Sequence, residues 1–213
     1  MIKGEKLYTT DGTQVMLFPL NYLYMSQDEG GDFSHAGTLC MDFLGWGENG
    51  RVYSQEYYAP CDLVCVYRSN TAYYNIWNSV NPVYCADGVT RNLCIMNIHG
   101  NMLFNIGDKV SQGDVMGVTG AYGQATGDHA HLNVANGHYA GQEQVPPNNA
   151  WQLKNSIHMY DACFCNDTVI VRGFGHDWRD YEGGYTPPVI YNNVKKKYPW
   201  VLYARRNRSK IFR

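Results

Sequence analysis

Four of the seven histidines fall into a pattern suited to metal chemistry. His129-Ala130-His131 is an H-x-H on a segment that continues as Leu132-Asn133-Val134, a strand-like run. Side chains at i and i+2 of a strand point to one face, so both imidazoles can reach one ion. His35 and Asp42 supply a nitrogen and a carboxylate ahead of and within the segment Leu39–Phe43, and His99 closes another apolar segment, Cys94–Ile98. Zinc takes such a set: two imidazoles, one carboxylate and a fourth position open to water, whose pKa the ion pulls down to near 7. The two remaining imidazoles suit proton transfer or the stabilisation of a developing oxyanion. Spacing alone does not choose between His129 and His131 as the ligand.

These side chains need a frame. The chain has 213 residues, enough for one substantial domain or one plus an appendage. It is 45% hydrophobic and 17% charged, which supports a core and excludes intrinsic disorder. Eighteen Tyr and 22 Gly, without heptads or long helical runs, exclude a coiled coil or helical bundle and predict a mostly β fold. From Thr38 to about Val134, apolar runs such as Leu39–Phe43, Leu63–Tyr67, Leu93–Ile98 and His131–Ala135 alternate with Gly, Pro, Asn and Asp. That rhythm predicts a mostly antiparallel β-sheet. Asn70–Val89 reads as a long hairpin or loop, Gln142–Asn149 as a boundary and Ala150–Asp161 as one short helix. The expected organisation is a leader over 1–34 packed on a domain at 35–145, then a partly irregular C-terminal extension at 146–213 ending in a basic tail.

The N-terminal Met1–Tyr8 has no apolar signal-peptide core, and no run approaches a transmembrane helix. Seven cysteines are an odd count. The pairs Cys61/Cys65 and Cys163/Cys165 lack the spacing of a zinc knuckle, so buried thiols are the expected state. Formal net charge is −2, which argues against bulk attraction to a polyanion such as nucleic acid. Tyr191–Arg213 nevertheless carries eight of the 17 Lys/Arg and none of the 19 Asp/Glu.

The text around the histidines is more specific than the histidines themselves. Gly107-Asp108-Lys109-Val110-Ser111-Gln112-Gly113 runs through Gly117 and Gly120 to Thr126-Gly127-Asp128-His129-Ala130-His131. Together with Ala59-Pro60-Cys61-Asp62-Leu63-Val64 and His35…Asp42, this resembles the lysostaphin-type zinc endopeptidases of bacterial cell walls over about half the chain, Ser34–Ala135. The resemblance implies an antiparallel β-sheet peptidase domain with one Zn2+ per chain. It assigns His35, Asp42 and His131 to the metal and His99 and His129 to the catalytic pair. The family's first motif is usually H-x-x-x-D, whereas six residues separate His35 from Asp42 here, so three are expected to loop out before the strand.

The activity implied is hydrolysis of peptide bonds in peptidoglycan, in a cross-bridge or a stem peptide. Without a signal sequence, the expected source is a bacteriophage, with the protein carried on the virion or released into the wall at lysis. Tyr122, Asn133 and His138 are candidate groove residues. The basic tail suits anionic wall polymers or other virion proteins; nucleic acid is not the expected partner. Two other classes compete. One is a catalytically inactive lysostaphin-like module that serves a phage tail structurally or by binding the wall. The other, a carrier domain, is disfavoured because no Met-Lys pair is present for biotin attachment.

Overall fold

The structure, a computed structural model, describes residues 1–31, 34–100, 102–173 and 175–176. The basic tail and the rest of 177–213 lie outside the described residues. The strands are β1 Tyr22–Gln27, β2 Met41–Phe43, β3 Trp46–Gly47, β4 Gly50–Arg51, β5 Glu56–Tyr58, β6 Leu63–Ser69, β7 Tyr74–Ser79, β8 Val83–Tyr84 and β9 Thr90–Arg91. Then follow β10 Leu93–Ile98, β11 Lys109–Val110, β12 Val115–Val118, β13 Ala130–Asn136, β14 Gln142–Val145, β15 Ala150–Leu153, β16 Ser156–Ile157 and, after the short helix α1 Met159–Ala162, β17 Val169–Val171. The fold is mostly β and mostly antiparallel, as composition predicts. One sheet dominates, in the order β11-β6-β7-β10-β13-β2-β1-β17, with β16 also on β13. Among the described residues, only its last pair, β1 with β17, is parallel.

Alternation sorts this sheet into two faces. Leu93 and Ile95 of β10, Ala130, Leu132 and Val134 of β13, and Met41 and Phe43 of β2 point into the main core. Met16, Phe18 and Leu20 of the N-terminal segment cover them, with Met159 and Ala162 of α1. A buried polar chain spans this face, from Trp77 Nε1 to Asn97 Oδ1 (2.7 Å) and from Asn97 Nδ2 to the Tyr57 hydroxyl (2.6 Å). Such groups are tolerated in a core because they are paired. The opposite face carries Ile76, Cys94, Met96 and Ala135, covered by Leu153 of the β14–β15 hairpin.

Three readings of the sequence need correction. Asn70–Val89, read as a long hairpin or loop, is neither throughout: it contains the central strand β7, which forms a hairpin with β6 and pairs on its other side with β10. Its alternation of Tyr74, Ile76 and Asn78 with Asn75, Trp77 and Ser79 was masked by two buried polar residues on the core face. Gln142–Asn149, read as a boundary, holds the strand Gln142–Val145, which pairs with Ala150–Leu153 in register. Ala150–Asp161 is two short strands, and only Met159–Ala162 is helical. Here tertiary pairing overrides a weak helical pattern. All seven cysteines are free and buried.

Candidate metal centre

The site lies on the second face. In β2 and β13, Asp42 is directly opposite His131, so both side chains leave the sheet on the same side. His131 Nδ1 is 2.9 Å from Asp42 Oδ1. His35 arrives from a turn in which Thr38 N–H donates to His35 O (2.8 Å), as does the Thr38 hydroxyl (3.0 Å). That turn takes up the extra residues of the long His35-to-Asp42 spacing. Its imidazole Nε2 is 3.4 Å from Asp42 Oδ1 and 3.3 Å from His131 Nδ1, while its Nδ1 is tied to Asp28 O at 3.1 Å. Only one proton can occupy the gap between two imidazole nitrogens, so two such nitrogens beside a carboxylate are a donor set for a cation.

The three distances, 2.9, 3.3 and 3.4 Å, test that reading. Ligands about 2.0–2.1 Å from a tetrahedral zinc lie roughly 3.3 Å from one another. The residues fit zinc.

His99 and His129 complete the group. His99, His129 and His131 also offer ligand atoms within 4.8 Å of one another. The His99 ring centroid is 4.7 Å from that of His129 and 5.7 Å from that of His131. The Nδ1 atoms of both residues are held by carbonyls of one loop, His99 by Tyr122 O and His129 by Gly127 O, each at 2.7 Å. With Nδ1 occupied, each presents Nε2 to the centre, and His129 Nε2 is 3.5 Å from Asp42 Oδ1. His99 sits at φ +76°, a left-handed conformation that costs a non-glycine residue about 1 kcal/mol or more. It is pinned there by its N–H on Tyr73 O and by its carbonyl, which accepts from Tyr122 N–H (both 3.1 Å).

Electrostatics separates the groups. Burial would raise the pKa of Asp42, but hydrogen bonds from His131 and His35 outweigh it and hold the carboxyl well below the usual range. Burial opposes charge on His131, and Cys40 and the Asp42 carboxylate beside it overcome that and raise its pKa, so a cation held at Nδ1 would displace a proton from it. Burial lowers His99 to about 4, so it is neutral at physiological pH.

The remaining expected residues divide. Tyr122 borders the site, 42% exposed, its ring 4.6 Å from that of Tyr73. Asn133 shares the face of His131 but is fully buried: it donates to Leu39 O (3.1 Å) and accepts from Leu153 N–H (2.7 Å) and the Ser156 hydroxyl (3.1 Å). It clamps β13 to its neighbours and offers nothing to a groove. His138 follows β13 at the end where Leu93 pairs with Asn136, remote from the Ile98–His131 end, so it does not join the centre. Missed in the sequence was Asp128, whose carboxylate accepts from the Thr119 hydroxyl (2.6 Å) and Ser54 N–H (3.1 Å) and pairs with Arg51 (3.5 Å). Its place just before His129 was the available signal.

Fold and site together resemble the class to which the motifs point, the lysostaphin-type metallopeptidases. No protein-family profile matches the chain. Among curated proteins, Morphogenesis protein 1 of Bacillus phage B103 is 41% identical over 170 residues, covering 79% of this chain. The chain spans 45% of the length of that relative. Among solved structures, the catalytic domain of the prophage-encoded protein EnpA of Enterococcus faecalis is 16% identical, covers 62% of this chain and 88% of its own, and has a TM-score of 0.40. The catalytic domain of the antimicrobial peptidase lysostaphin from Staphylococcus simulans is 20% identical, with coverages of 62% and 85% and a TM-score of 0.34.

Proposed function

We propose that this chain is a zinc-dependent endopeptidase that hydrolyses peptide bonds of bacterial peptidoglycan and acts for a phage as a virion-associated or lysis enzyme. The observation that carries it is the closeness of His35 Nε2, Asp42 Oδ1 and His131 Nδ1, with two further imidazoles turned toward them. One zinc held by His35, Asp42 and His131 would supply Lewis acidity and a water made nucleophilic near neutral pH. His99, neutral and fixed through Tyr122 O, can accept a proton at Nε2. His129, its Nδ1–H fixed on Gly127 O, can stabilise the charge that develops on the scissile carbonyl oxygen through Nε2–H, in its doubly protonated form. Residues 35–145 are the proposed catalytic unit, with 1–34 as leader and 146–213 as extension, although β1 and β17 join the same sheet.

The phage relative, named for morphogenesis, supports a role on or during assembly of the virion. The competing reading is an inactive structural or wall-binding module. Mass spectrometry of purified peptidoglycan digested with and without a zinc chelator separates them. New amino termini, abolished by chelator and restored by zinc, are the expected result and name the bond. Absence of new termini across several wall chemotypes, in a protein that still holds zinc, would favour the inactive module.

A further inference from the structure

His131 turns one ring nitrogen to the centre and buries the other. Nδ1 lies 2.9 Å from Asp42 Oδ1 and 3.3 Å from His35 Nε2. Nε2 is shielded from solvent and meets no hydrogen bond of ordinary geometry to nitrogen or oxygen. A buried N–H left without any partner is costly, and folded chains supply one.

The neighbour on offer is Cys40. It lies two residues before Asp42, so both side chains leave the chain on the site face. Asp42 pairs with His131 and Met41 with Leu132, and the next step of that register sets Cys40 beside Asn133. Cys40 is therefore the diagonal neighbour of His131 on the same face, a separation that a ring can bridge. Its side chain acts on the imidazole both as a hydrogen-bonding and as a charge neighbour.

The hairpin of β14 and β15 fixes that thiol from the other side. Cys40 is buried, and its Sγ–H donates to Trp151 O at 3.7 Å. The flanking backbone is held by the same hairpin, with Leu39 N–H donating to Gln152 Oε1 at 3.0 Å. A thiol has one proton, and here it is committed to Trp151 O. Only sulfur lone pairs remain for its other neighbours, and Nε2–H is the donor that matches them.

We propose that Cys40 is a positioning residue of the metal centre, whose sulfur accepts from His131 Nε2–H and so keeps the Nδ1 lone pair turned toward Asp42, His35 and the cation. This rests on the reading of the centre as a zinc peptidase site. A partner on the non-ligating nitrogen fixes the tautomer and ring orientation of a metal-bound histidine. The sulfur itself stays outside the ligand set: among the described residues, the groups able to gather round one ion do not include Cys40. Strand β15, beyond the proposed catalytic unit 35–145, thereby helps to orient a ligand.

The test uses the full chain, isotope-labelled at its histidine nitrogens. In the zinc-loaded wild type, proton–nitrogen correlation spectra should show His131 metal-bound at Nδ1 and protonated at Nε2. The zinc Kd, read by competition with a chromophoric chelator, should rise about tenfold in Cys40→Ala. The Nε2–H signal should move or vanish in the same variant. Cys40→Ser, whose hydroxyl also donates and accepts, should restore both. Metal-free melts separate lost folding from lost positioning, and the wild-type spectrum decides the tautomer even if Cys40→Ala does not fold. Zinc bound through Nε2 of His131, or an unchanged Kd with unchanged His131 signals in folded Cys40→Ala, overturns the proposal. A sulfur-to-metal charge-transfer band in the cobalt-loaded wild type, lost in Cys40→Ala, also overturns it by making Cys40 a ligand. The expected spectra and Kd changes without cleavage of peptidoglycan leave the positioning standing and remove the peptidase reading.

Discussion

The Thr119 hydroxyl donates a 2.6 Å hydrogen bond to the carboxylate of Asp128, the residue immediately before His129. Thr119 also accepts from Gln55 N–H (3.0 Å), and its neighbour Gly120 exchanges backbone hydrogen bonds with His129 (3.0 and 2.9 Å). Arg51 reaches Asp128 from the β3–β4 hairpin. His129 is therefore held by side chain and backbone at once. On the proposed mechanism, Asp128→Ala should lower kcat about 10- to 100-fold with little change in KM or zinc content, because it misorients the proposed catalytic His129 without touching a proposed ligand. Asp128→Asn, which still accepts from Thr119, should recover most of the loss. Steady-state kinetics with zinc quantified on the same samples checks both.

Ligands and catalytic groups should separate on substitution. His131→Ala and Asp42→Ala are expected to lose zinc and turnover together, whereas His99→Ala should keep zinc and lose turnover. Zinc should also stabilise the wild-type fold, by about 2.7 kcal/mol at a hundred times its Kd, and the two ligand variants should lack that increment. Elemental analysis and thermal melts with and without zinc provide the measurements. Normal zinc content in Asp42→Ala would remove it from the ligand set.

Burial lowers the pKa of His99 to about 4, below the ordinary value of 6.5. The folded chain therefore resists a proton that the unfolded chain accepts. Its contribution to stability is complete above pH 6.5 and is lost as pH falls from 6.5 toward 4. Between pH 7 and pH 4, metal-free wild type should lose on the order of 2 kcal/mol more than metal-free His99→Gln. Urea unfolding at the two pH values reads the difference; equal losses would show that His99 titrates normally.

A Cβ added to Gly120 would lie 2.3 Å from His99 O, and one added to Gly100 would lie 2.2 Å from Val118 O. Both obstacles are backbone, so neither can swing away. Gly120→Ala should displace His99 and cost about 1–3 kcal/mol, with activity falling further than stability alone accounts for. A surface control is Gly127→Ala, where nothing lies within 4 Å. Its melting temperature should stay close to wild type.

The residue types and their order carried the proposed chemistry. H-x-H on a strand places two imidazoles on one face whatever the rest of the fold does, because side-chain alternation is local. The mostly β character followed from equally local signals, short apolar runs punctuated by turn residues. Pairing between strands is not local, and everything that depended on it was hidden. Spacing could not say that Asp42 would face His131, which only the family resemblance implied, that the Nδ1 atoms of His99 and His129 would be tied to one loop, or that Asn133 would be consumed as a clamp. Nor could it say that His138, only seven residues from His131, would stand at the far end of the same strand. Central strand β7 was obscured because its buried Asn75 and Ser79 read as loop residues until partners from other strands satisfied them. Register decided which side chains meet, since a slip of one residue would turn every one of them to the other face.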